Sequence, residues 1–269
     1  MSFIEQLPSK LSVCVFQMDV KKDSVNENLS EFKRLCSESM KFNPNIIIAP
    51  EMWSRSFCGE KLIEEACAFE ERIAFCGDLA RENKMWIVAG SLPEKTADGK
   101  VYNTLPIISP TGEMVYKFRK MHMFINSSEP KYFIPGEEIP QPLSSGPWKI
   151  GAGICFDLRF PEVFRRQVFE GANFFVVCAQ FPDPRLEHFT LLVRARALEN
   201  QAYLVAANRC GVESPLTFSG GSTVISPNGN SLGSLDEREG ILHCDLEFNA
   251  LDEYRKKSPF LGLSEKLKQ

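Results

Sequence analysis

Apolar positions along the chain fall into two rhythms. Short continuous runs, "LSVCVFQ" from 11, "NIIIAP" from 45, "MWIVAGS" from 85, "KIGAGICF" from 149, "NFFVVCA" from 173 and "AYLVAAN" from 202, lack the alternation of a half-exposed strand. They predict strands covered on both faces. Between them the spacing changes to that of a helix. Residues 25–41 put Leu29, Phe32, Leu35, Cys36 and Met40 on one side, and 186–199 do the same with Leu186, Phe189, Val193 and Ala197. The charged, alanine-bearing stretch 60–83 also predicts a helix. "GILHCDLEF" alternates like a strand, which gives His243 a structural place.

Two segments, "LPIISPTGEMVYKF" and "STVISPNGNSLGSL", set a Pro-x-Gly turn between β-prone flanks and predict hairpins. Their similarity suggests two related β-rich halves. No composition step or low-complexity linker divides the chain, so residues 1–269 are expected to form one domain. Strands alternating with helices imply a layered α/β sandwich.

Composition narrows the function classes. A net charge of −4 with 25% charged residues of both signs gives no basic surface for nucleic acid or an anionic membrane. Glu5 and Pro8 interrupt the start where a signal peptide needs an apolar core, and no run reaches the length of a membrane span. Nine cysteines, an odd number without a C-x-x-C pair, fit a reducing compartment, and the cytoplasm is the expected location. The three histidines are isolated from one another and the cysteines lack chelating spacing, so neither a metal nor an organic cofactor is expected.

Candidate chemistry collects where apolar strands stop. Cys155 closes "KIGAGIC", and Pro161 with Glu162 reads as the first turn of the next helix. Such a corner presents a side chain outward and leaves the Phe156 N–H available to an oxyanion. Glu51 follows "NIIIAP" in the same way and can take a thiol proton. In "VYKFRKMHMF", Lys117, Arg119 and Lys120 interrupt apolar residues, and a lysine near thiol and acid would stabilise negative charge on a substrate oxygen. Each residue taken singly also has a structural reading: a buried cysteine, a capping acid, the solvated face of a strand. His188 and His122 are further possible partners for a thiol.

Taken in order, "PEMW" with Glu51, "FRKMHMF" with Lys120 and "GICFDLRFPE" with Cys155 resemble the carbon–nitrogen hydrolase (nitrilase) superfamily. The resemblance implies a four-layer αββα sandwich and a homodimer. It makes Glu51 the general base, Lys120 the oxyanion stabiliser and Cys155 the nucleophile that forms a thioester. Glu129, six residues before Pro135 in "EPKYFIPG", becomes an auxiliary carboxylate, although "HMFINSSE" lacks the family's usual Asp after its H-L-F phrase. Arg194, Arg196 and Glu199 in "VRARALEN" are expected to serve as structural ion-pair residues. "AQFPDPRLEH" and "ENQAYLVAANRCG" look like the omega-amidase branch, which hydrolyses the terminal amide of 2-oxoglutaramate or 2-oxosuccinamate. In that branch Phe57, Phe156 and Phe181 would hold the carbon chain, with Arg159 or Arg185 as candidates for the far carboxylate. Alternatives are an N-carbamoyl amine hydrolase, an amidase for deaminated glutathione, or a non-catalytic binding subunit.

Overall fold

The computed structural model describes residues 6–57 and 59–263, so Glu5 and Cys58 lie outside the described residues. In the first half the order is β1 (Lys10–Gln17), α1 (Val25–Ser39), β2 (Ile46–Ile48), α2 (Lys61–Cys67), α3 (Phe69–Asn83), β3 (Trp86–Val88), β4 (Leu92–Lys95), β5 (Val101–Ile108), β6 (Met114–Arg119) and α4 (Glu129–Tyr132). The second half runs β7 (Leu143–Ser145), β8 (Trp148–Ile154), α5 (Pro161–Phe169), β9 (Phe174–Ala179), α6 (Leu186–Asn200), β10 (Tyr203–Asn208), β11 (Cys210–Glu213), β12 (Leu216–Ser219), β13 (Thr223–Ile225), β14 (Ser231–Ser234), β15 (Gly240–Glu247), α7 (Phe248–Lys257) and α8 (Phe260–Leu263).

One sheet has the order β15-β1-β2-β3-β5-β4, with β6 on the other side of β5; the second runs β14-β13-β10-β9-β8-β7. Both repeat one plan. Three parallel strands, β1-β2-β3 or β8-β9-β10, are followed by an antiparallel hairpin, β5-β6 or β13-β14. The hairpin turns match in detail: Gly112 and Gly229 both have φ of 81° and donate their N–H to Ser109 and Ser226. Positive φ is what requires glycine there.

Strand periodicity sorts the core into layers. In β1, Val13 and Val15 join β8 and β9 side chains between the sheets, whereas Cys14 and Phe16 face Phe32 and Leu35 of α1. Ile46 and Ile48 against Ile47 divide likewise in β2. Helices α5 and α6 cover the outer face of the second sheet, with Phe164 edge-on to Phe175. The result is the αββα sandwich. Gly153 permits this closeness, because an added Cβ would lie 2.8 Å from the Phe164 ring.

Three element predictions need correction. The expected helix 60–83 breaks at Ala68, where α2 packs Leu62 and Ala66 against Met52 and Phe133 while α3 packs against α1 and the first sheet. Local sequence did not flag the break, since no Gly or Pro marks it and the cause is two separate docking surfaces. The helix expected over 25–41 ends at Ser39 and tightens into a 3₁₀ turn, Met40–Phe42. The strand expected to include Cys155 and Phe156 stops at Ile154, and both residues belong to a 3₁₀ turn, Cys155–Arg159.

Strands β4, β5 and β6 are tied together by Glu94, whose buried carboxylate accepts hydrogen bonds from Thr104 (2.8 Å), Lys117 (2.8 Å) and Arg119 (2.8 and 2.9 Å). Burial pushes this acid up, but the bonds from Arg119, Lys117 and Thr104 outweigh it and hold the group at about 2. A carboxyl depressed in the folded state contributes stability above its ordinary 4.5 and loses it as pH falls toward 2. Glu94→Gln should therefore lower stability by about 2–3 kcal/mol at pH 7, with allowance for solvent around Lys117. Urea melts repeated at successively lower pH should show the deficit shrinking below pH 4.5.

Candidate active site

Four chain segments end at one place. Glu51 lies just beyond β2, Lys120 directly after β6, Cys155 directly after β8, and Glu129 opens α4. Glu51, Lys120 and Glu129 are at most 2% exposed. Lys120 Nζ donates to Glu51 Oε1 at 2.9 Å and to Glu129 Oε1 at 2.5 Å. Cys155 lines the same cavity as these three residues, close enough for its thiol to feel the charges of Glu51 and Lys120. Glu129 is fixed from behind by the Phe124 N–H, which donates to its Oε2 at 2.6 Å.

Cys155 has a φ of 48°, a left-handed conformation that is strained for a residue with a Cβ. The turn is over-determined by Asp157, which is fully buried. Its carboxylate accepts the N–H of Ile154 (3.1 Å), the N–H groups of Met121 (3.4 Å) and His122 (3.0 Å), and lies 2.9 Å from His122 Nδ1. His122 also stacks on Phe160, with ring centroids 3.5 Å apart. One acid thus links the segment after Lys120 to the turn that carries Cys155, which follow strands of different sheets.

Burial pushes Glu51 upward, and Glu129 adds to this while Lys120 and the thiol oppose it. For Lys120 burial alone would pull the ammonium down, but Glu51 and Glu129 hold it well above its ordinary value. Burial and then the charge of Glu51 push the Cys155 thiol well above the usual range, against a smaller pull from Lys120. The resting site therefore contains a thiol beside a basic carboxylate and a fixed cation. Such an arrangement suits proton transfer from sulfur at the moment of attack.

A cavity of about 430 Å³ opens over this cluster. Phe57, Phe156 and Phe181 line it, as do Arg159 and Arg185. Arg159 lies 3.0 Å from His188 Nδ1 at the pocket wall. Arg185 sits over the Phe124 ring at 4.6 Å and makes no side-chain hydrogen bond or ion pair among the described residues. Arg196 pairs with Glu199 at 2.7 Å, but Arg194 makes no ion pair among the described residues; its Nε donates to the Gly229 carbonyl at 3.1 Å. His243 lies 3.0 Å from Ser12 Oγ and stacks on Phe42. Among the described residues no group of three or more His, Cys, Asp and Glu is placed to hold a metal ion, and no helix is long and apolar enough to cross a membrane.

Sequence reasoning missed Asn103, Gln180 and Asp157. Gln180 follows β9 as Cys155 follows β8, so the rule of strand ends would have found it. Its N–H donates to Glu51 Oε2 at 3.0 Å and its side chain to the Glu51 carbonyl at 2.7 Å. Asn103 lies within β5 and carries no comparable signal.

Residues 12–256 match the family model described as carbon-nitrogen hydrolase. A Staphylococcus lugdunensis protein named hydrolase in agr operon is 35% identical over 218 residues, 80% of this chain and 92% of its own. A 2-oxoglutaramate amidase from Paenarthrobacter nicotinovorans is 31% identical over 270 residues, 96% of this chain and 91% of its own. Among solved structures, a carbon-nitrogen hydrolase from Helicobacter pylori G27 shares the fold with a TM-score of 0.89 and 26% identity, covering 94% of each chain. With nearly its whole length matched in sequence and in fold, the chain belongs to the carbon–nitrogen hydrolase family.

Proposed function

We propose that this hydrolase is an omega-amidase that cleaves the terminal amide of a short 2-oxo acid such as 2-oxoglutaramate or 2-oxosuccinamate. The observation that carries the reading is a buried Glu51-Lys120-Glu129 cluster that shares with Cys155 a small aromatic cavity, whose Arg185 makes no ion pair among the described residues. The 2-oxoglutaramate amidase among the relatives supports the choice of substrate.

Cys155 attacks the amide carbon as Glu51 takes its proton, which avoids a free thiolate in a site that disfavours one. Negative charge on the carbonyl oxygen meets Lys120 Nζ and the Phe156 N–H. Because Lys120 is held well above its ordinary value, it stays cationic and acts as a fixed charge rather than a proton donor. Collapse breaks the C–N bond, Glu51 gives its proton to the departing nitrogen, and ammonia leaves a thioester on Cys155. Water, deprotonated by Glu51, attacks the thioester. The second collapse returns a proton to sulfur and releases the carboxylic acid.

Of the cations lining the cavity, Lys22 pairs with Glu213 at 3.2 Å, Arg159 meets His188, and Lys120 serves the carboxylates. Arg185 remains for the far carboxylate. Glu213, the other acid near the mouth, accepts from Ser56 at 2.6 Å and Arg209 at 2.8 Å as well. With its oxygens occupied it offers little to an α-ammonium, which favours a 2-oxo acid over a 2-amino acid. A homodimer completes the reading: α6 leaves Leu191 and Leu198 70% and 51% exposed, an apolar pair for a second copy to cover. The eight described cysteines are free thiols, which fits a cytoplasmic location.

Lys120→Ala should reduce kcat by about 100-fold or more, the usual effect of removing one oxyanion donor. Arg185→Met should lower kcat/KM for 2-oxoglutaramate by roughly 10- to 100-fold, the scale of a charged hydrogen bond, and leave an uncharged short amide unaffected. Ammonia release from 2-oxoglutaramate, 2-oxosuccinamate, N-carbamoyl-β-alanine and deaminated glutathione ranks the substrates; a faster carbamoyl compound or glutathione derivative would replace the omega-amidase reading.

Native iodoacetamide labelling tests the nucleophile with exposed Cys67 as internal reference. Cys155 should react faster than Cys67, and Glu51→Gln should slow Cys155 alone by about tenfold or more. Equal rates in the parent protein would remove the case for an activated thiol.

A further inference from the structure

Asn103 is fully buried and touches all three charged residues of the cluster. Its carbonyl accepts the Lys120 N–H at 2.9 Å, and its side-chain Nδ2 lies 2.9 Å from Glu51 Oε1 and 3.4 Å from Glu129 Oε1. The amide orientation is fixed by these neighbours, because flipping it would face an oxygen to two carboxylates. Oδ1 is buried without a partner. An unpaired buried acceptor destabilises a fold, so stability gives no reason for an amide at this position.

The two oxygens of Glu51 are served unequally. Oε1 receives both Lys120 and Asn103, whereas Oε2 receives the Gln180 N–H. We infer that Asn103 is a positioning residue that, with Lys120, occupies Oε1 of Glu51 and so presents Oε2 to the proton of Cys155. The inference rests on the reading of Glu51 as the base. It assigns Asn103 no contact with substrate, in keeping with its place behind the cavity lining.

Loss of a donor to an ionised carboxylate makes that ionised form less favourable. The titratable groups around Glu51 are Lys120, Glu129, Cys155 and, from β9, Cys178. None is altered by changing Asn103, so a shift in the proton-accepting step can be read against a constant set of charges.

The experiment is the pH dependence of Cys155 alkylation by iodoacetamide, followed by mass spectrometry with Cys67 as reference. It compares the parent with Asn103→Ala, Asn103→Leu and Asn103→Ser, each checked for folding by thermal melting; the serine variant covers failure of the others to fold. We expect the acid limb to move up by about one pH unit, which is about tenfold slower labelling below it. A limb that stays in place in folded variants, with the rate lowered equally at every pH, overturns the role of Asn103. Glu51→Gln run in parallel separates the two failures: if it too leaves the limb in place, the base assignment falls and takes the inference with it. Because alkylation needs no substrate, a wrong choice of amide does not affect the result.

Discussion

The lysine at 120 is buried between two buried carboxylates, and that arrangement constrains the rest of the site. Withdrawing each of these charges from water costs several kcal/mol, and only close, well-directed contacts offset it. Lys120 meets Glu51 and Glu129 directly, Asn103 adds a second donor to the Glu51 oxygen that Lys120 serves, and the N–H groups of Gln180 and Phe124 satisfy the other carboxylate oxygens. Because the cluster carries more negative than positive charge, burial raises the basicity of Glu51 and keeps Cys155 protonated. Electrostatics and nucleophile chemistry are therefore set by the same desolvation.

Rigid surroundings are what make such a cluster tolerable. Its members come from the ends of β2, β6 and β8, with Gln180 from β9, so both sheets contribute. If the sheets slid past one another, the buried charges would lose their partners. Asp157 opposes this by joining the peptide groups after Lys120 to the turn at Cys155. The same clamp holds the left-handed backbone at Cys155, so strain at the nucleophile and alignment of the cation have one source of support.

Much of this was legible in the chain. The continuous apolar runs located the central strands because strands covered on both faces need no alternation, and the Ser-Pro-x-Gly phrases located two equivalent hairpins. Glu51, Lys120 and Cys155 were candidates because each interrupts or ends an apolar run, and the resemblance of their three motifs, in order, to the nitrilase superfamily is what joined them into one site. The break at Ala68 was hidden, since alanine favours helix and the bend arises from two docking surfaces rather than from the local peptide. Asn103 was hidden for a related reason: its neighbours lie on other elements, and a polar residue inside a strand has many possible partners.

The sequence by itself determined the layered α/β class, the order of its central strands and of the main helices between them, and the residue types available at strand ends, because these follow from periodicity and from the chemistry of single side chains. Tertiary structure alone decided which oxygen of Glu51 faces which donor, which arginine at the cavity has no ion pair among the described residues, and in which direction the acid, the amine and the thiol are shifted. Those properties depend on distance and on exclusion of water, and neither is set until the two sheets have packed.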